Sequence, residues 1–284
     1  MSKGEQIMAE KKKQHYIPQF YLKKFVQKTD NPKIEPSLWV HKNGVSKKKS
    51  PSNTGFESYF YAIDGEDLDK NHVEDLLSTI ESDTKPVLDR MLSLGIHSIT
   101  EHERYIFARF LSFMFSRTPK MRELNNIALS RVIKDYAFQK MNRDGIPLRF
   151  KNLSKDSVIE LLNEHWTLPK DALIGMGLYG SVNNLPEFND RNWCLFHTND
   201  SHFITSDHPV VLINKYVDND KALPGIVMRN TDFMFPLSPR VCLYGSYDNV
   251  VNQSVSNAKV KEINSLIFKQ STGCIFSYDQ CPEI

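Results

Sequence analysis

Thr100-Glu-His-Glu-Arg-Tyr-Ile-Phe-Ala-Arg-Phe-Leu-Ser-Phe-Met-Phe-Ser-Arg-Thr-Pro119 is the stretch on which the fold turns. Thr100 and Glu103 have the spacing of a capping box, in which each side chain satisfies the other residue's backbone amide. The helix this opens, Arg104 to Ser116, is apolar nearly all round: Tyr105, Ile106, Phe107, Phe110, Leu111, Phe113, Met114 and Phe115. Such a helix belongs at the centre of a bundle. Thr118-Pro119 ends it and starts another, through about Met141.

Working outward, Val73, Leu77, Ile80, Val87, Leu88 and Met91 recur at helical spacing between His72 and about Leu94. A further helix follows Ser154 through Trp166, and a weaker one covers 170–184. From Arg191 the pattern turns to strands. Trp193 to His197 and His202 to Thr205, joined by Asn199-Asp200, read as a hairpin. Further strands are expected at Val210–Ile213, Ile226–Phe235, Val241–Tyr247 and Cys274–Ser277, with a helix over about 256–269. At the front, residues 37–49 read as a hairpin, because Asn43-Gly44 supplies the positive φ angles of a two-residue turn. Residues 55–63 read as a third aromatic-rich strand or extended segment. Helices are segregated from strands, so the class is α+β: a central helical bundle, an N-terminal hairpin and a C-terminal, mostly antiparallel sheet. Residues 1–14 read as a flexible basic arm. Residues 15–284 read as one domain, with an aromatic and basic region (15–65), a helical region (72–184) and a strand-rich region (191–284).

With 284 residues there is ample material for a core, and 40% hydrophobic with 25% charged residues is ordinary soluble-protein usage. No apolar run approaches the roughly 20 residues of a membrane span. The N-terminus lacks a signal peptide's apolar core, so a cytoplasmic location and no membrane partner are expected. Cysteines 194, 242, 274 and 281 are too scattered for a zinc ribbon or a disulfide framework. Net charge is +2, but residues 1–60 hold twelve Lys against five acids, leaving −5 for the remainder. Clusters at Lys11–Lys13, Lys23-Lys24 and Lys47–Lys49 can contact phosphates of DNA or RNA, or simply solvate a surface. Phosphate-binding Gly-rich loops and a nucleophile elbow are absent, which argues against an NTPase, a Rossmann dehydrogenase and an ordinary serine hydrolase.

Glu74 and Glu81 lie nearly two helical turns apart at the margin of an apolar stripe. They are either partly buried carboxylates with raised pKa values, able to share a metal, or a solvated flank. Arg109 lies inside the most apolar helix and needs a partner, for which Glu74 or Glu81 is the natural choice. Arg117, eight residues on, falls on the same side. This set reads equally as an ion network and as an anion-binding acid–base site. Ser206, Asp207 and His208 are adjacent and so cannot themselves form a convergent triad. A strand-end turn there either presents a catalytic carboxylate or uses Asp207 to cap backbone amides.

Residues 15–22, His-Tyr-Ile-Pro-Gln-Phe-Tyr-Leu, resemble the opening motif of a bacterial and phage family catalogued as domain of unknown function 4238. Phe203-Ile-Thr-Ser-Asp207 is similar to a second distinctive motif of that family, and weaker ones fall around Val73–Glu81, Phe110–Pro119 and Phe235–Pro239. The resemblance implies that His15, Glu74, Glu81, Arg109, Arg117, Ser206 and Asp207 belong to one polar site. His208 departs from the pattern, which has Asn more often. The expectation is a hydrolase acting on nucleic acid, a nuclease with an optional metal, in the setting of antiphage defence. Its catalytic groups would be His15, Glu74, Glu81 and Asp207, with Mg or Mn held by the three carboxylates. Arg109, Arg117, Ser206, Lys23 and Lys24 would bind substrate. A DNA glycosylase, in which a carboxylate activates water without a metal, and a non-catalytic anion- or nucleotide-sensing module are the alternatives.

Overall fold

A computed structural model describes residues 12–27, 29, 31, 34–62, 71–216 and 224–284, apart from the side chain of His165. In chain order the front holds β1 (Lys13–His15), α1 (Gln19–Leu22), β2 (Leu38–Lys42), β3 (Val45–Lys49) and β4 (Phe56–Ser58). The middle holds α2 (His72–Leu94), α3 (Glu101–Ser116), α4 (Pro119–Asp144), α5 (Lys155–His165), α6 (Lys170–Asn183) and α7 (Leu185–Asn189). Then come β5 (Asn192–His197), β6 (Thr205–Ser206), β7 (Val211–Asn214), β8 (Thr231–Ser238), β9 (Val241–Ser246), β10 (Gln253–Ser254), α8 (Asn257–Gln270) and β11 (Cys274–Ser277). The class is α+β.

The central helix forms for the expected reasons. Thr100 Oγ1 accepts from Glu103 N at 3.2 Å, and Glu103 Oε2 accepts from Thr100 N at 2.9 Å. Phe107, Phe110, Leu111 and Met114 are wholly or almost wholly buried. One flank of α3 reaches solvent, however, where Tyr105 is 47% exposed. Thr118 caps α4 through Met121 N, with Pro119 at its first position.

The strands are shared differently from expectation. β10-β5-β9-β8-β7 form a five-stranded sheet, antiparallel except where β10 meets β5. A second sheet, β3-β2-β11-β6, joins the front hairpin to late strands, with β11 between β2 and β6. The expected hairpin of 193–205 does not form. β5 pairs with β9, while residues 198–204 cross to the other sheet, held by Phe203 N to Pro239 O at 2.8 Å and Thr198 N to Arg240 O at 3.1 Å. Phe203 and Ile204 are both fully buried, so an alternating two-sided hairpin would have exposed one of them. The front hairpin turns at Asn43 (φ 52°) and Gly44 (φ 73°), as expected. The third front strand is only Phe56–Ser58 and pairs with β1. Within the expected basic arm, Lys13 and Gln14 already belong to β1, and residues 1–11 lie outside the described residues.

Two contacts fix the front segment. Gly55 has φ 68°, and a Cβ there would lie 2.9 Å from Ile17 Cβ, so the backbones meet closely while Ile17 N donates to Gly55 O. Tyr21, fully buried, stacks on Phe235 (4.9 Å between ring centres) and shares its hydroxyl with Thr205 Oγ1 at 2.6 Å and Pro236 O at 2.8 Å. The two distinctive sequence motifs therefore touch each other directly.

Candidate functional site

α2 presents Glu74, Ser78, Glu81, Ser82 and Lys85 along one stripe, and β1 with α1 places His15, Gln19 and Phe20 opposite. Together they line an open cleft of about 320 Å³. A volume of that order accommodates a small ligand or one residue of a polymer.

Glu81 is held from beneath. Arg117 closes α3 and turns inward, so that its side chain is 4% exposed, and its guanidinium lies 3.0 Å from Glu81 Oε1. Burial raises the Glu81 pKa above the usual carboxylate value, and the Arg117 charge and hydrogen bond only partly offset this. Across the cleft, burial lowers the His15 pKa, opposed by hydrogen bonding to the Ser52 backbone. Its Nε2 is buried and has no hydrogen-bond partner among the described residues. A neutral imidazole and a carboxyl of raised basicity thus share one hollow. Groups whose surroundings displace their pKa values in this way suit proton transfer.

Behind Arg117 lies a pocket of about 20 Å³, room for a single water, reached by Tyr61, Ser116 and Arg122. Tyr61 Oη, Ser116 Oγ and Arg117 Nε are buried without partners among the described residues. Burial raises the Tyr61 pKa, which also feels Arg117, Glu74 and Glu81. Tyr61 is therefore part of the same electrostatic group as the cleft carboxylates.

The turn after β6 is built otherwise. Asp207, 3% exposed, accepts from Thr272 N at 2.9 Å and from the Thr272 hydroxyl. Burial raises its pKa, against the lowering effect of these bonds. Ser206 Oγ accepts from His208 N at 3.1 Å, and His208 Nδ1 pairs with Thr118 Oγ1 at 2.8 Å. These groups fasten the turn to α4 and to the segment before β11.

The model of the family described as Protein of unknown function (DUF4238) matches residues 13–280. The chain belongs to that family. No curated protein and no solved structure matches it.

Of the residues expected to form one site in this DUF4238 chain, the structure gathers His15, Glu74 and Glu81 at the cleft, with Arg117 supporting Glu81. It does not gather the rest. Arg109 pairs with neither cleft glutamate but with Asp83 at 2.8 Å, on the partly exposed flank of α3. Ser206 and Asp207 are sealed in their turn. Lys24 is engaged with Asp89, and Lys23 is exposed. Among the described residues no three His, Cys, Asp or Glu side chains come together in a way that could hold a metal ion. The trio of Glu74, Glu81 and Asp207 therefore does not fit the expected Mg or Mn. Sequence reading missed Ser78, Ser82 and Lys85, although their spacing from Glu74 and Glu81 places all five on one helical stripe. Nothing in the sequence singles out Tyr61. No helix among the described residues is long and apolar enough to cross a membrane.

Proposed function

We propose that the chain is a hydrolase acting on nucleic acid, and that its chemistry is metal-free cleavage of a glycosidic bond. The observation that carries this reading is the cleft in which His15 and Glu81 face a common hollow with their proton affinities displaced by burial. Glu81, oriented by Arg117, takes a proton from water. The water oxygen bonds to the sugar carbon as the bond to the base breaks, and the base leaves with the electron pair and takes up, through solvent, the proton that Glu81 removed. His15, neutral, lines the opposite wall with its Nε2 buried.

Phosphate binding fits the surroundings. Lys85 lines the cleft, and Lys13 stands over Phe56, which packs on the His15 ring. β3 is exposed throughout, with Lys47, Lys48 and Lys49, and its chain leads directly into the Pro51–Ser52 backbone beside His15. Lys48 also lies 5.3 Å from the Trp39 ring centre, a cation beside an aromatic surface of the kind that accepts stacked bases.

Purified protein incubated with single- and double-stranded DNA and RNA, in the presence of EDTA, tests the reading. Released bases and alkali-labile sites are expected, and Glu81→Gln should lose them. Neither base release nor strand scission on any substrate would overturn it. Scission appearing only with added Mg or Mn would replace this chemistry with a nuclease's.

A further inference from the structure

On the far side of Thr118 lies a second hollow that the cleft chemistry does not use. It measures about 290 Å³ and sits between α4, β7 and the segment 224–227. Phe115, Leu124, Leu212 and Ile226 make its walls chiefly apolar. Gln270 is spent within the wall, since its amide bonds Leu212 O at 2.6 Å and Leu212 N at 3.1 Å.

Lys120 stands at this hollow half-buried. Its ammonium donates to the Gln270 carbonyl oxygen and has no carboxylate within ion-pair distance among the described residues. Burial lowers its pKa, and the more distant Asp207 charge only partly opposes this. An ammonium carries three donors, so two are left for something else. A half-buried cation is partly desolvated, and an anion that docks beside it offsets that cost. His208 lines the same hollow but adds no second charge, because burial and the Lys120 charge lower its pKa to about 3. The site thus offers one positive charge beside an apolar chamber that Asn184 also lines.

We infer that this hollow binds a small amphipathic monoanion, an aromatic or branched aliphatic carboxylate whose head group meets Lys120 and whose body fills the space between Phe115, Leu124, Leu212 and Ile226. The volume sets the size. An apolar cavity of about 150 Å³ takes benzene, so this one takes a body of about two rings. A phosphate dianion matches neither the single charge nor the apolar walls. The inference is independent of the cleft and of what the cleft hydrolyses.

Calorimetry and thermal melting with naphthoate, and with naphthamide as its uncharged counterpart, test it on the whole chain. Naphthoate should bind saturably and raise the melting temperature, and naphthamide should bind about tenfold or more weaker. Lys120→Met, which keeps the side-chain length, should bring naphthoate down to the naphthamide level. Leu124→Trp should abolish both while circular dichroism stays native. If that variant fails to fold, the Lys120→Met comparison decides alone. No saturable binding of either compound to the unsubstituted chain would overturn the inference. So would equal binding of the two, or naphthoate affinity unchanged in Lys120→Met.

Discussion

The two distinctive motifs of this chain, His15–Leu22 and Phe203–Asp207, pack against one another yet play opposite parts. In the first, Tyr21 is a fully buried anchor while His15, six residues earlier, reaches an open cleft. In the second, every residue is buried, and the carboxylate that would look catalytic on paper is saturated by Thr272. Glu81 and Asp207 are both carboxylates whose pKa burial raises. What separates them is access: one borders about 320 Å³ of open space and the other borders none of it. Residue type and perturbed proton affinity are therefore not enough to mark a reacting group, because structural fastenings perturb pKa values too.

Substitutions can break this contrast. The largest effect should come from Glu81→Gln, which keeps the shape but removes the base. Base release per folded molecule should fall about 10²–10⁴-fold, and the melting temperature should fall as well, because Gln leaves the buried Arg117 guanidinium without its counter-charge. If release persists, the cleft is not where chemistry occurs.

The next effect concerns pH. His208 is neutral in the fold, with its pKa lowered from 6.5 to about 3, whereas the unfolded chain titrates near the ordinary value. Its contribution to stability is complete above pH 6.5 and drains away as pH falls toward 3, by on the order of 5 kcal/mol. Glu81 and Asp207 act in the opposite sense: with raised pKa values they favour the fold at low pH, and that part is lost as pH rises through them. Denaturant titrations from pH 7 to pH 4 on His208→Asn and the unsubstituted chain isolate the histidine. The substituted chain should show the flatter profile.

Asp207→Ala should lower stability by about 1–2 kcal/mol, through the two lost bonds to the Thr272 amide and hydroxyl, and leave base release per folded molecule intact. Lost activity at full stability would place Asp207 back in the machinery. The smallest effect belongs to Arg109→Ala. Its pair with Asp83 is partly exposed on both sides, so chemical denaturation should register a loss below about 1 kcal/mol.

Local rules made much of the fold legible. Apolar spacing bounded the helix of His72–Leu94, the capping box set the start of Glu101–Ser116, and Asn43-Gly44 fixed the front turn. Pairing between distant strands was not legible. Nothing near Trp193 announces that its partner is Gly245 rather than the strand that follows it. For the site, the α2 stripe could be read from spacing alone. Arg109 could not, because counting apolar neighbours hid the solvent-facing edge on which Tyr105 and Arg109 stand one turn apart. Arg191 shows the same limit. It is fully buried, with its guanidinium bonded to the Ile226 and Thr231 carbonyl oxygens, and no local pattern marks it as a core residue.

The place of β11 has a bearing on synthesis. It supplies the middle of a sheet whose other members include β2 and β3, made more than two hundred residues earlier. While the ribosome is still translating, the early hairpin therefore has no strand on its inner edge, and β6 lacks its ladder partner although Tyr21 and Thr118 are already made. A nascent chain of this protein stays unassembled at that seam until residues 274–277 have cleared the exit tunnel, so the front half is completed only after the helical region and the five-stranded sheet have been made.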